Sequence, residues 1–388
     1  MSLRGNWRIP TEILAGAGRI AELPARVKAA GLTNVLLVTD PGVAGLAFIA
    51  GIIEGLKLEG IEVALFKDLH PDPLYADIMA GAAAYKIHGA QAVIAVGGGS
   101  GLDTGKSIAL AVSTSKPLWD FEITLAGPEL DRPLPPIFAV PTTAGTGSEV
   151  GRATVVIDPD KQRKYILLHA QMLPRLVILD PELTYGLPAS ITAWTGMDAL
   201  AHSLEAYYAT FYHPVADGIA LEGMRLVKDN LLTAVIEPRH EDARMNMLVA
   251  ASMGATAFQK ALGAIHALAH PIGARFHAHH GLTNAVLMPY VLAFNRPVVE
   301  AKIARAAQAL GIENGFDGFF DWILRLRDQL NIPHTLEALK VTPESLEGLA
   351  EEAVLDPNTP DNPRIASKED YLRILKAAMS GVFTGLGD

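Results

Sequence analysis

The chain has 388 residues, half of them hydrophobic and 19% charged, with a formal net charge of −10 and a mean hydropathy of +0.24. That balance excludes a disordered chain, supports a large core in two domains or one large one, and argues against a phosphate-backbone binder, so no nucleic-acid partner is expected. With no cysteine, disulfides, thiolate nucleophiles and thiolate metal sites are excluded; any transition metal must be held by His, Asp or Glu, and histidine favours zinc or iron over magnesium.

The opening "MSLRGNWRIPTEI" lacks the apolar stretch of a secretory signal. The run "GVAGLAFIAGIIEGL" (42–56) is too short to span a membrane, contains Glu54 and reads as a buried helix. A soluble cytoplasmic protein with no membrane partner is expected. Short β-branched runs then recur: "NVLLVTD" (34–40), "IEVALF" (61–66), "QAVIAVGGGS" (91–100), "PPIFAVPTT" (135–143), "ATVVID" (153–158) and "RLVILD" (175–180). Several are continuously apolar, as parallel strands covered on both faces require. Helical patterns lie between them, as at 73–89. This alternation predicts an α/β fold with a parallel sheet and right-handed crossovers.

After "DPELTYGLPAS" (180–190) no strand pattern follows. Helical patterns cover 190–209, 213–236, 240–260, 262–275, 283–294, 299–311, 316–330, 343–353 and 367–380. Pro188, Ser190 and Thr192 supply helix-start signals. The boundary is placed near residue 187, giving an α/β domain at 1–187 and an all-helical domain at 188–388. The segment "VLDPNTPDNPRIAS" (354–367) reads as a turn-rich loop. Clefts between two such halves favour ligand sites.

"VIAVGGGSGLDTGKSIAL" is a buried strand, three glycines, a serine and a helix. Contiguous glycines let the backbone approach a ligand, and the free N–H groups of the following helix favour an anion such as a phosphate or pyrophosphate. The stretch is neither G-x-G-x-x-G nor a P-loop, and a plain strand-to-helix turn is its bland reading. Asp40 ends the first confident strand, where it suits either a ribose 2′-hydroxyl or a cap before Pro41. "PTTAGTGSE" (141–149) is a hydroxyl-rich loop whose side chains and amides suit lining a cofactor. In "GMDALAHSLEAYY" (196–208), Asp198 and His202 leave one face of a helix, either as a buried polar pair or as two metal ligands. "AIHALAHPIGARFHAHHG" (264–281) adds His266, His270, His277, His279 and His280, five of the chain's twelve histidines. Together these stretches supply one carboxylate and several imidazoles, enough for a metal site with room for a substrate oxygen. Spacing alone leaves open whether His270 or His280 is a ligand.

These residues resemble the iron-containing (group III) alcohol dehydrogenases. The likeness runs through "PTEILAGAGRIAEL" (10–23), "VTD", "GGGSGLDTGK", "PTTAGTGSE", "LDPELT", "GMDALAHSLEAY", "HALAHPIGARFHAHHGLTNAVLMP" and "NPR" (362–364). Each piece is modest; their order is specific. The resemblance implies a dehydroquinate synthase-like architecture, with a parallel-sheet nucleotide domain followed by a helical metal domain. It implies Fe²⁺, with Zn²⁺ an alternative, held by Asp198, His202, His266 and His280. It puts His270 near the nicotinamide and substrate, and leaves His277 and His279 at the rim. It places Gly97, Gly98, Gly99 and Ser100 at a pyrophosphate, and Asp103, Thr142, Thr143, Ser148 and Lys164 on the cofactor side. Asp40 matches its ribose-reading Asp, which implies NAD over NADP. One departure is Gly151 followed by Arg152, where the family commonly has G-S-E-V-T; it bears on the pocket, unless Arg152 is simply a surface residue.

The expected activity is reversible hydride transfer between NAD and a small primary alcohol, diol or hydroxy acid, with a metal as Lewis acid and His270 or the ribose hydroxyls as proton relay. The competing expectations are a metal-dependent lyase of the dehydroquinate synthase type, which typically has a glutamate ligand, and a nucleotide-binding sensor, which needs no metal ligands. A homodimer is expected because symmetric dimers are the commonest assembly.

Overall fold

The computed structural model describes residues 5–8, 11–159, 161 and 163–387. Residues 1–4, 9 and 10, which carry parts of the stretch read for a leader and of the opening strand motif, lie outside the described residues. Two compact units divide the chain: Met1–Gly186 with Arg239–Leu248, and Leu187–Pro238 with Val249–Asp388.

The first unit is built on β1 (Gly5–Arg8), β2 (Glu12–Ala15), β3 (Asn34–Val38), β4 (Glu62–Phe66), β5 (Ala92–Gly97), β6 (Ile137–Pro141), β7 (Ala153–Asp158), β8 (Arg163–Leu168) and β9 (Leu176–Leu179). Seven of these form one sheet in the order β1-β2-β9-β6-β5-β3-β4. Six run parallel, and β1 pairs antiparallel with β2. The helices here are α1 (Leu23–Ala29), α2 (Pro41–Ala44), α3 (Ala47–Leu58), α4 (Tyr75–His88) and α5 (Gly99–Ala111). Successive strand residues point to opposite faces, and both faces are apolar. Val35, Leu37, Ile94 and Val96 join one core with Ile52 and Leu56 of α3. Leu36, Val38 and Val93 join the other with Ile78 of α4 and Ile108 of α5.

Two readings of this half need correction. "ATVVID" is not a strand of the parallel sheet: β7 pairs antiparallel with β8 in a separate hairpin. Its burial alternates residue by residue, which is the signature of an antiparallel strand covered on one face. Its partner, "RKYILL", starts with two charges and buries only Leu167 fully. The stretch 42–56 is not one buried helix either. It spans most of α2 and α3, and α3 buries only Ile49, Ile52 and Leu56 while Leu46 and Leu58 face out. A helix covering one face of a sheet needs only one apolar stripe.

The second unit carries α6 (Ala189–Tyr208), α7 (Pro214–Ile236), α8 (Glu241–Ala257, whose first two turns group with the first unit), α9 (Ala264–Phe276), α10 (His280–Ala309), α11 (Gly315–Gln329), α12 (Leu346–Val354) and α13 (Lys368–Ser380). Helix α6 packs against α7 and α10 and is buried almost throughout from Thr192 to Tyr208. Where the sequence predicts two helices, 283–294 and 299–311, α10 is one helix of 30 residues containing Pro289 and Pro297. An interior proline removes one hydrogen bond and bends a helix rather than always ending it. Buried Leu292 and Phe294 before Pro297, and Val299 and Ile303 after it, anchor both sides. Among the described residues no helix is long and apolar enough to cross a membrane.

Candidate active site

Asp198 and His202 leave α6 one turn apart, His266 lies in the first turn of α9, and His280 is the first residue of α10. Their ligand atoms all lie within 4.8 Å of one another. The last placement depends on Gly281. A Cβ there would stand 2.3 Å from the Trp194 carbonyl oxygen, so only glycine lets the start of α10 rest against the α6 backbone. The His202 and His266 rings stack at 4.8 Å between centroids. Asp198, His202 and His266 have side chains at most 6% exposed, whereas His280 is 29% exposed. Of the four, His280 is therefore the one that reaches solvent.

The protein groups alone leave too many lone pairs at one point. Asn284, one turn after His280, aims its Nδ2 at Asp198 Oδ1 (2.7 Å), His280 Nε2 (3.1 Å) and His266 Nε2 (3.2 Å). An amide nitrogen has two hydrogens and serves two of these acceptors at once. The Asn284 Oδ1 is buried without a hydrogen-bond partner. A divalent cation satisfies such a convergence, and one carboxylate with three imidazoles suits iron or zinc. The donor set fits a metal.

Two carboxylates orient the surrounding imidazoles. Glu205, fully buried, accepts from His266 Nδ1 at 2.6 Å. Burial alone lowers the His266 pKa, but the hydrogen bond and charge of Glu205 outweigh it and leave the imidazole above its ordinary value. His270, one turn further along α9, meets Asp356 Oδ2 through Nδ1 at 2.7 Å. Burial favours the neutral acid at Asp356, yet His270 and Asn358 hold its carboxyl below the usual range. His270 thus donates to an ionised carboxylate and keeps Nε2 free. Its ring lies 5.8 Å from that of His280, stacked on it. His277 is exposed and closes α9 with a positive φ of 51°, and His279 lies against Trp194.

In the first unit, β5 runs into the glycine loop and α5 starts behind Gly98 with no side-chain cap, which leaves the first-turn N–H groups available for an anion. The glycines admit a second loop. A Cβ on Gly98 would meet Thr143 Oγ1 at 3.2 Å, and one on Gly99 would meet Thr146 Cγ2 at 2.9 Å. Thr142 donates its backbone N–H to the Gly97 oxygen at 2.9 Å. Asp40 caps α2 through Oδ1, accepting from Gly42 and Val43; its Oδ2 is the atom a Cβ on Gly97 would meet, at 3.3 Å. The capping carboxylate thus also lies beside the glycine loop. Asp103 accepts from Ser148 Oγ and from the Val155 N–H. Ser100 donates to the Pro71 carbonyl, and Lys164 pairs with Asp72 at 2.7 Å. Lys106, buried, donates to the carbonyls of Ser148, Gly151 and Ala153. Burial lowers its pKa, with Asp103 and Glu149 opposing. Arg152 is exposed, in keeping with its surface reading.

The sequence reading missed Glu205, Asn284 and Asp356. Glu205 has a signal, since it continues the stripe of Asp198 and His202 at the next turn of a helix that is otherwise mostly apolar. Asn284 stands one turn past His280 and shares its face. Asp356 sits in a loop and has none.

A nucleotide-type α/β unit and a His₃Asp centre on buried helices define a metal- and nucleotide-dependent enzyme. The family model of the iron-containing alcohol dehydrogenases matches residues 10–181, and that of the C-terminal part of the Fe-containing alcohol dehydrogenase family matches 192–379. The chain is 36% identical to a 4-hydroxybutyrate dehydrogenase of Cupriavidus necator, over 95% of this chain and 98% of that protein. The crystal structure of a 1,3-propanediol oxidoreductase superposes with a TM-score of 0.91 at 32% identity, covering 98% of this chain and 100% of the other. A sulfoacetaldehyde reductase from Bifidobacterium kashiwanohense, solved in complex with NAD⁺, superposes with a TM-score of 0.86 at 27% identity, covering 98% and 99%. The chain belongs to the iron-containing alcohol dehydrogenase family, whose members are iron- and NAD-dependent oxidoreductases. That membership sets aside the lyase and the sensor.

Proposed function

We propose that the chain interconverts a small primary alcohol, diol or hydroxy acid and the corresponding aldehyde, with NAD as hydride carrier. The observation that carries this reading is the convergence of Asp198, His202, His266 and His280 within 4.8 Å. These four are the metal ligands, for Fe²⁺ or alternatively Zn²⁺. A bound divalent ion supplies Lewis acidity toward the substrate oxygen, and NAD supplies or accepts the hydride. Asp198 contributes the negative charge that offsets the cation, and the histidines bind as neutral imidazoles. The solvent-reaching side at His280 admits the substrate oxygen. His270, oriented by Asp356, holds the proton that the alcohol gives up. The substrate class is supported by the hydroxy acid and diol named for the two relatives above.

Gly97, Gly98, Gly99 and Ser100 hold the pyrophosphate, with Thr142 and Thr143 beside them. Asp103 and Ser148 act on the cofactor side by holding the hydroxyl-rich loop to α5, and Lys164 does so from the hairpin through Asp72. Asp40 receives the ribose 2′-hydroxyl and repels a 2′-phosphate, which favours NAD over NADP. The enzyme works in the cytoplasm, where its dinucleotide is held, as a homodimer. Formation of NADH, followed by its absorbance across a panel of short alcohols, diols and hydroxy acids, tests the reading. Inactivity on the whole panel with metal and NAD bound overturns it.

A further inference from the structure

Glu205 has no place in the reaction so far, yet it is fully buried on the helix that carries two of the four ligands. Its position, three residues after His202 and seven after Asp198, continues one stripe of α6. Oε2 accepts from the Gly263 N–H (3.0 Å) and from His266 Nδ1 (2.6 Å). Oε1 accepts from the Ile265 N–H (2.8 Å) and from the Tyr208 hydroxyl (3.1 Å). The backbone N–H groups of Gly263 and Ile265 can only donate, one to each oxygen, and with the Tyr208 hydroxyl they suit a carboxylate whatever the histidine tautomer. The bond to His266 therefore has one direction: Nδ1 carries the hydrogen. The neutral ring is left with its lone pair on Nε2, the nitrogen that Asn284 faces together with Asp198 and His280.

The same carboxylate fixes where that ring stands. Gly263, the N-cap of α9, has no side chain to cap the helix. Glu205 supplies the missing acceptor for Gly263 and Ile265, and Asn362 Oδ1 takes the Ala264 N–H at 3.1 Å. A Cβ on Gly263 would lie 2.8 Å from Asn362 Oδ1 and 3.1 Å from Glu205 Oε1, so the close approach excludes any larger residue. Helix α9 is thereby held in register on α6 at the turn that carries His266.

We propose that Glu205 is the positioning residue of the metal centre: it locks His266 in the Nδ1–H tautomer, raises the donor strength of Nε2, and holds the α9 ligand against the α6 ligands. The proposal rests on reading Asp198, His202, His266 and His280 as metal ligands. Outer-shell carboxylates of this kind typically contribute about 10- to 100-fold to metal affinity.

The test is a Co²⁺ titration of the metal-stripped full chain, followed by visible absorption, for the unaltered protein, Glu205→Gln, Glu205→Leu and Asp198→Ala, with thermal melting of each. Glu205→Gln and Glu205→Leu are expected to bind Co²⁺ about 10- to 100-fold more weakly, with a shifted d–d spectrum. Glu205→Gln keeps an oxygen that can accept from Nδ1 but loses the negative charge that raises the donor strength of Nε2, so its loss is expected toward the about 10-fold end. If Glu205→Gln melts earlier but keeps both affinity and spectrum, the residue is only a helix cap and the proposal falls. That measurement decides even if Glu205→Leu fails to fold. The ligand reading itself fails in a different way, through an unaltered protein that takes up no Co²⁺ or an Asp198→Ala variant that binds it equally well.

Discussion

His270 Nδ1 and Asp356 Oδ2 lie 2.7 Å apart, joining the second turn of α9 to the loop after α12. The carboxylate is mostly buried and takes two further hydrogen bonds from Asn358, so it fixes the ring rather than following it. In Asp356→Asn the amide competes for the wrong tautomer. We expect kcat to fall by about 10- to 100-fold, part of the roughly 10²–10⁴ that a positioned acid–base group supplies, with metal content unchanged. Steady-state kinetics beside elemental analysis reads both, and an unaltered kcat removes His270 from proton transfer.

Removing a ligand has the opposite signature. Asp198→Ala and His280→Ala are each expected to retain less than about a tenth of the metal of the unaltered protein, since three donors hold a divalent ion far less well than four. Elemental analysis of protein purified without oxygen checks this; full metal content in either variant takes that residue out of the ligand set.

Asp40 caps α2 and is proposed to read the ribose, and one substitution separates the two tasks. Glycine in place of an N-cap aspartate costs only a few tenths of a kcal/mol, so Asp40→Gly should melt almost normally. Losing a charged partner of the ribose hydroxyl, worth about 1.5–3 kcal/mol, should cut the preference for NAD over NADP by about tenfold or more. The ratio of kcat/KM for the two dinucleotides is the measurement, and an unchanged ratio leaves Asp40 as a cap alone.

Gly281→Ala inserts one carbon where 2.3 Å separates a Cβ from the Trp194 oxygen. The start of α10 has to move, carrying His280 with it. Overpacking of this kind costs about 1–3 kcal/mol, and metal should be lost along with stability. Thermal melting with and without added metal tests this; a variant with native melting and full metal content contradicts the packing argument.

Much of this was legible because the chemistry is local. Asp198 and His202 stand one helical turn apart and His266 and His280 fall in one histidine-rich stretch, although spacing does not choose between His270 and His280, and apolar runs such as "NVLLV" announce strands covered on both faces. The misreadings have tertiary causes. Pro297 looks like a stop, but buried residues on either side carry α10 through it. β8 begins with Arg163 and Lys164, and pairing with β7 makes it a strand. Asp356 lies 86 residues from His270, and no local pattern links a loop carboxylate to a helix that far back. Glu205 was visible in the same stretch as Asp198 and His202, but its partner's first turn lies 60 residues on.

The uneven burial of the four donors has a kinetic consequence. With Asp198, His202 and His266 buried and His280 part exposed, an ion and a substrate reaching the centre from solvent would both arrive on the His280 side. A molecule held there for turnover also stands in the way of a departing cation and an arriving chelator. An enzyme kept saturated with alcohol would then lose its metal more slowly than one at rest, so working conditions themselves guard the centre.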